Sequence, residues 1–287
     1  MLPTACRRAE PMPRHVYFLR VFVRDPARGS GGNPLAVVPD TVEVLPETMQ
    51  RVAAELALSE TAFLQWERGK PPHVRIFTPA IELPFAGHPL VGTAWLINTL
   101  GPGGGTDCLT CGAGEVSTWR EGDTVWIGTA LPPVQPARHR ISGVLDALGL
   151  EAPALTADPA EAGHNRLLVL RTDAAWRVRE LLPDFTRLAQ EPAAANGVYV
   201  VAPDSTESTF RARFFSPGHG IDEDPATGSA AIALAAVLVA ETQATGAATI
   251  HQGDEVGSPS SLLLRWDETG ASLGGGVVKD RVDVISL

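Results

Sequence analysis

The sequence predicts an α+β protein made of two duplicated domains that face one another. Three features carry that expectation: a near-repeat of one strand–loop–helix unit, a proline-rich break in mid-chain, and an Ala/Leu-rich helix in each half. In the first half a strand ends in Ile76-Phe77-Thr78-Pro79, and an acid-containing loop leads to the helix start Gly87-His88-Pro89-Leu90-Val91-Gly92-Thr93-Ala94. In the second half Phe214-Phe215-Ser216-Pro217 leads through an acidic loop to Ala226-Thr227-Gly228-Ser229-Ala230-Ala231. Self-similarity at so long a period marks a duplicated structural unit.

The elements follow in order. Alternating apolar residues predict strands over 16–23 and 35–38, separated by a Gly-rich polar loop over 25–33. Met49, Val52, Ala53 and Leu56 share one face of a helix over 46–56. Strands are expected over 61–66 and 73–78, an apolar helix over 90–100, a flexible turn over 101–107, and strands over 108–119 and 124–131. Pro132, Pro133 and Pro136 make 131–136 the linker, because such a run does not fit a central strand. The second half reads as a helix over 141–148, strands over 166–171, 197–202 and 210–216, a Gly/acid loop over 217–224, and a helix over 226–240. Strands over 248–252, 261–266 and 277–285 close the chain.

Composition limits the function. Of the 287 residues, 44% are hydrophobic and 20% charged, which is globular. The net charge of −10 and the lack of a basic stripe disfavour nucleic acid and anionic membrane surfaces as partners. No stretch approaches the ~20 apolar residues of a membrane span. Residues 1–15 carry arginines without an apolar core, so they read as a disordered tail, with Met12 as an alternative start, and not as a signal peptide. A cytoplasmic location is the expectation. Three cysteines argue against a disulfide framework. Cys108 and Cys111 form a C-x-x-C, but no second ligand pair accompanies it, so two structural thiols are preferred over zinc. No metal is expected.

Two helix starts, at Gly87-His88 and Gly228-Ser229, each leave backbone N–H groups without an internal acceptor. With the helix dipole, such donors suit a bound carboxylate. The alternative is ordinary N-capping by Thr227 or Ser229. His88 sits beside Pro89 in the first turn, where the dipole disfavours protonation and a neutral imidazole can serve substrate; a capping or core histidine is the alternative. Glu60, flanked by Leu58, Ala62 and Phe63, would be partly desolvated, which raises a carboxyl toward neutrality and suits it to take and return a proton. An exposed Glu at a strand start is equally compatible with the local sequence. Asp224, nearest the second helix start among Asp222, Glu223 and Asp224, is the matching carboxylate. Asn33, in Gly31-Gly32-Asn33-Pro34, lies either near the same cleft or in a plain turn.

Together, Gly32-Asn33-Pro34, Leu58-Ser59-Glu60-Thr61, Phe77-Thr78-Pro79, Glu82-Leu83-Pro84-Phe85-Ala86-Gly87-His88-Pro89 and Glu223-Asp224-Pro225-Ala226-Thr227-Gly228-Ser229-Ala230 resemble the signature set of the PhzF family of phenazine-biosynthesis-like isomerases. They span nearly the whole chain. The resemblance implies a diaminopimelate epimerase-like fold: two pseudo-symmetric domains, each a β-sheet rolled around a central α-helix, with the active site between them. It implies a first domain of 16–131 plus 277–287, a second of 137–276, and a homodimer. It also implies cofactor-independent proton transfer on a small carboxylate-bearing metabolite. Glu60, His88 and Asp224 would be catalytic; Gly87, Ser229, Gly228 and Asn33 would bind substrate. The related racemases use two cysteines, and none of this chain's cysteines falls at the motif positions. An amino-acid epimerase and a catalytically silent metabolite-binding protein of the same fold are the alternatives. His164, Arg166, Arg171 and Trp66 are further candidates to shape the pocket.

Overall fold

The computed structural model describes residues 13–67, 69–100, 105–163, 165–206, 208–241 and 245–287. The first half contains β1 (Pro13–Val21), β2 (Asn33–Val38), α1 (Pro46–Leu56), β3 (Thr61–Gln65), β4 (His73–Phe77), β5 (Glu82–Leu83), α2 (Gly87–Leu100), β6 (Cys108–Cys111), β7 (Gly114–Glu121), β8 (Thr124–Thr129) and β9 (Val134–Pro136). The second contains α3 (Ser142–Leu148), β10 (Ala160–Ala162), β11 (Leu167–Arg171), α4 (Ala175–Arg179), α5 (Phe185–Leu188), β12 (Val198–Pro203), β13 (Thr209–Ser216), β14 (Ile221–Asp224), α6 (Gly228–Ala240), β15 (Gly246–Gln252), β16 (Ser260–Trp266), β17 (Ala271–Gly275) and β18 (Val277–Ser286).

The strand pairings repeat. β1 runs antiparallel to β2, β2 parallel to β3, β3 antiparallel to β4, β4 parallel to β6, and β6, β7 and β8 are successively antiparallel. β10, β11, β12, β13, β15, β16 and β17 follow the same sequence of senses. A short strand precedes the helix in each half, β5 on β4 and β14 on β13. The halves then exchange strands. β9 leaves β8 to pair with β10, while β18 leaves β17 to pair with β1. Antiparallel pairing of β8 with β17 joins both halves into one hydrogen-bonded sheet.

Each half wraps its sheet around one helix. α2 packs against β1, β2, β3 and β8, and α6 against β10, β11, β16 and β17. Leu90, Val91, Ala94 and Ile97 of α2 and Ala230, Ile232, Leu234 and Val237 of α6 are all buried. A helix enclosed on all sides must be apolar on all sides, which explains why neither shows a polar face. The described helices include none long and apolar enough to cross a membrane.

Several expectations need correction. Residues 13–15 are not tail: they extend β1 and pair with Val284, Ile285 and Ser286 of the last strand. Residues 1–12, the rest of that expected tail, lie outside the described residues, as do 101–104 of the expected turn and His164. Residues 134–136 of the linker form β9, which pairs on one side only, where a proline's missing N–H is tolerated. The strand expected over 108–119 is a hairpin, β6 and β7. The end of the 217–224 loop pairs as β14, and β10 and β17 were not expected. β17 lacks apolar alternation because its Gly274 lies under an indole; a Cβ there would fall 2.5 Å from Trp126 Cδ2.

Candidate active site

The two central helices meet tip to tip. A Cβ placed on Gly87 would lie 2.7 Å from the Gly228 Cα, and one on Gly228 would lie 2.9 Å from the Gly87 Cα. Only residues without a side chain allow this approach. It brings together the starts of both helices, where the N–H groups of Gly87, His88, Gly228 and Ser229 have no intrahelical acceptor.

Glu60 reaches the same place from the other direction. Pro46 starts α1, and Ala57, at φ 53°, ends it in the left-handed region. That turn delivers Leu58, Ser59 and Glu60 to the head of β3, beside the head of β2 and its Asn33. Glu60 is enclosed: its side chain is 14% exposed, and Oε2 is buried without a hydrogen-bond partner. The apolar flank does not achieve this, since Ala62 and Phe63 go into separate cores on the two sides of β3. Burial, followed by the negative charge of Asp224, pushes the Glu60 carboxyl up to about 8, against a hydrogen bond from Ser59.

His88 stands behind Glu60, with Nε2 3.5 Å from Oε2. Burial lowers the imidazole to about 3, opposed by a hydrogen bond to the Pro34 carbonyl. Nε2 has no hydrogen-bonded neighbour. Asn33 Nδ2 lies 3.3 Å from Nδ1, but its two hydrogens go to Asp224 and the Ala226 carbonyl, which leaves Nδ1 as the donor to Pro34. The Nε2 lone pair then faces Glu60. The ring is neutral throughout the physiological range.

Asp224 is buried at the end of β14. Its Oδ1 accepts from Asn33 Nδ2 at 2.9 Å and its Oδ2 from the Thr227 hydroxyl at 2.6 Å. Burial pushes this carboxyl up as well, while the Thr227 and Asn33 hydrogen bonds pull it down. The adjacent Glu223 forms a buried bidentate pair with Arg213, which also donates to the Leu181 carbonyl. That pair anchors β14, so successive side chains point to opposite sides and Asp224 faces the cleft.

A cavity of about 250 Å³ opens onto Glu60, Asp224, Thr227 and Ser229, with Phe214 and Leu167 among its apolar walls. The predicted residues thus divide. Glu60, Asp224 and Ser229 line the cavity. Gly87 and Gly228 lie behind it, packed on each other and on Leu273. His88 is buried behind Glu60, and Asn33 lines an adjoining space while its amide bridges to Asp224 and the Ala226 carbonyl. Arg171 is paired with Glu241, Arg166 with Glu161, and Trp66 lines a separate groove, so none of the three shapes this pocket. Sequence reasoning missed Thr227 as a partner of Asp224, and missed Gln252, whose amide donates to the Asp224 carbonyl and the Thr227 hydroxyl. No local pattern marks Gln252; β15 alone brings it there. Cys108 and Cys111 sit in β6 outside the cavity, each thiol raised by burial.

Two lobes, each wound on a buried helix, with carboxyls facing between the helix tips, define an enzyme fold of the epimerase–isomerase kind. A family profile described as phenazine biosynthesis-like protein matches residues 19–276. The trans-2,3-dihydro-3-hydroxyanthranilate isomerase of Pseudomonas aeruginosa is 35% identical over 269 residues, covering 90% of this chain and 92% of that protein. A PhzF-family protein of Bacillus anthracis superposes with a TM-score of 0.81 at 18% identity, covering 96% of this chain and 100% of the other. A hydroxyproline epimerase of Agrobacterium vitis shares the fold, with a TM-score of 0.60, 12% identity and coverage of 96% and 93%. The chain belongs to the PhzC-PhzF family, and it is an isomerase of that family.

Proposed function

We propose that this isomerase moves a proton on a small carboxylate-bearing metabolite, with Glu60 as general acid and base and no metal or organic cofactor in the step. The observation that carries the reading is the Glu60 carboxyl itself: enclosed, unpartnered at Oε2, held near neutrality, and open to the cavity beside Asp224. A group of that proton affinity can both accept and release a proton near pH 7.

The substrate carboxylate docks at the tip of α6, on the Ser229 hydroxyl and the first-turn N–H groups, where the helix dipole favours an anion. Asp224 holds a neighbouring amine or hydroxyl. No lysine or arginine is among the described residues lining this cavity or the adjoining one. A net-neutral amino-carboxylate therefore fits this lining better than a dianion. Glu60, in its ionised form, takes a proton from carbon, passes through its acid form, and returns the proton at another carbon; the Nε2 lone pair of His88 accepts a hydrogen bond from that acid form. The substrate named for the Pseudomonas aeruginosa relative is itself a carboxylate. An epimerase using two thiols finds no support here, because neither Cys108 nor Cys111 lines the cavity. We read the protein as cytoplasmic, on its unpaired thiols, and as a homodimer, with the open edge of β18 and its exposed Val282 and Val284 as the supporting surface.

The test is a Glu60→Gln variant. It should retain ligand through purification, and mass spectrometry of that ligand identifies the substrate. Wild-type enzyme should then convert the ligand and exchange its migrating hydrogen with solvent deuterium, at a rate that a chelator leaves unchanged. A variant that turns over at near wild-type rate would sink the role given to Glu60.

A further inference from the structure

Two backbone carbonyls dictate every hydrogen position around Asp224. The Gln252 amide lies 2.7 Å from the Asp224 main-chain oxygen, which can only accept, so the nitrogen of that amide must face it. The same Nε2 donates its second hydrogen to the Thr227 hydroxyl at 3.0 Å. Thr227 Oγ1 is thus an acceptor from Gln252, and its one hydrogen is committed to Asp224 Oδ2. On the other side, the Ala226 carbonyl 2.9 Å from Asn33 Nδ2 fixes that amide in turn. Asn33 therefore donates to Asp224 Oδ1. Both carboxylate oxygens receive a hydrogen. Neither is hydrogen-bonded to an acceptor that could hold a proton placed on Asp224.

We propose that Gln252 and Thr227 are positioning residues that lock Asp224 as the anion of the carboxyl pair and so leave the exchangeable proton on Glu60. Gln252 is fully buried and touches neither substrate nor Glu60; it acts by orienting the Thr227 hydroxyl. The other titratable groups facing the pair do not supply this polarity. His88 is neutral behind Glu60. Glu223 is paired with Arg213, and what its charge still does is raise Asp224, against this polarity. At the cavity wall Glu82 pairs with Arg75, and His219 shares a hydrogen bond with Ser216. Asp222 and Glu255 line the adjoining space. Two buried carboxyls this close cannot both ionise without cost, so whichever one the network holds as the anion makes the other the proton carrier.

The proposal rests on Glu60 being the proton carrier, and its test is independent of turnover. Carboxyl carbons of Asp and Glu are labelled with ¹³C in the full chain and followed by NMR across about pH 5–9, with Glu60 and Asp224 assigned from their amide variants. In the wild type Asp224 should stay ionised throughout while Glu60 titrates near 8. Thr227→Val keeps the shape and removes the donor; the Glu60 midpoint should fall by about one pH unit or more as Asp224 takes a share of the proton. Gln252→Met should move it the same way by less, and Thr227→Ser should restore it. Should Thr227→Val fail to fold, Gln252→Met and Thr227→Ser carry the comparison. A protonated Asp224 in the neutral wild type, or midpoints unmoved in both Thr227→Val and Gln252→Met, would overturn the proposal. Because the free protein is titrated, this result can fail while the isomerase reading stands, and the Glu60→Gln assay can fail while this result holds.

Discussion

Asp224 and Glu60 enter the same cleft from the two matching halves of the molecule under opposite conditions. Both oxygens of Asp224 are engaged, by Asn33 and Thr227, and its strand is bolted down by the buried Arg213–Glu223 pair. Glu60 has one oxygen without any partner, faces the lone pair of a neutral imidazole, and hangs from the left-handed turn at Ala57. The strand senses of the two halves are the same, and so is the enclosed helix. The difference lies in how many donors reach each carboxyl, and one of the two on Asp224, Asn33, comes from the half that carries Glu60. The two positions are not counterparts in the duplication, since Glu60 precedes β3, the counterpart of β12, while Asp224 ends β14, the counterpart of β5. In the proposed reading, unequal hydrogen bonding makes one an anion and the other a proton carrier.

The comparison can be broken from either side. The largest effect should come from Glu60→Gln, which removes the carrier and should lower kcat by about 10²–10⁴-fold while ligand still binds. Arg213→Leu attacks the rigid side: with Glu223 left buried and unpaired, urea denaturation should report a loss of about 3–5 kcal/mol. Gly228→Ala tests the tip-to-tip contact. Its Cβ would meet the Gly87 backbone and Leu273, and the melt should show a loss of about 1–3 kcal/mol.

A further effect should appear in the pH dependence of stability. The folded Glu60 carboxyl lies above its unfolded value of 4.5, at about 8. The native state therefore binds more protons than the unfolded state between those values, so stability falls as pH rises through that window. Glu60→Gln should flatten the decline, gaining on the wild type by about 1.4 kcal/mol for each step of one in pH climbed inside that window. Denaturation at pH 5 and pH 8 measures it; an unchanged slope would mean that Glu60 is not held above its ordinary value. The smallest effect should come from Cys108→Ser with Cys111→Ser, which leaves turnover unchanged because the thiols lie outside the cavity.

The two central helices were legible because enclosure on all sides demands an unbroken apolar run, as over Ala230–Ala236, and α1 because Pro46 marks a helix start, whereas the short α4 and α5 were not expected. The β5, β10 and β17 strands were not, because their residues are short, small or glycine-rich and gain their places from neighbours such as Trp126. Among the expected site residues, Asp224 and Ser229 were placed by an acid and a small residue beside a helix start, whereas Glu60 was placed by an apolar flank that is not what encloses it. Gln252 was not, because its single function is to meet Thr227 and the Asp224 carbonyl from a strand 25 residues away from Thr227 in the chain.

The amino-acid order by itself determined the duplication, the two buried helices, and the kinds of groups at their tips, since these depend on apolar periodicity and on local backbone chemistry. The tertiary structure alone decided that Gly87 and Gly228 touch, that β9 and β18 trade places, and that Asp224 is saturated with donors while Glu60 is not. Those outcomes depend on contacts between distant segments. A proton's place in a buried pair is set by the count of hydrogen bonds each carboxyl receives there, which no local window of residues contains.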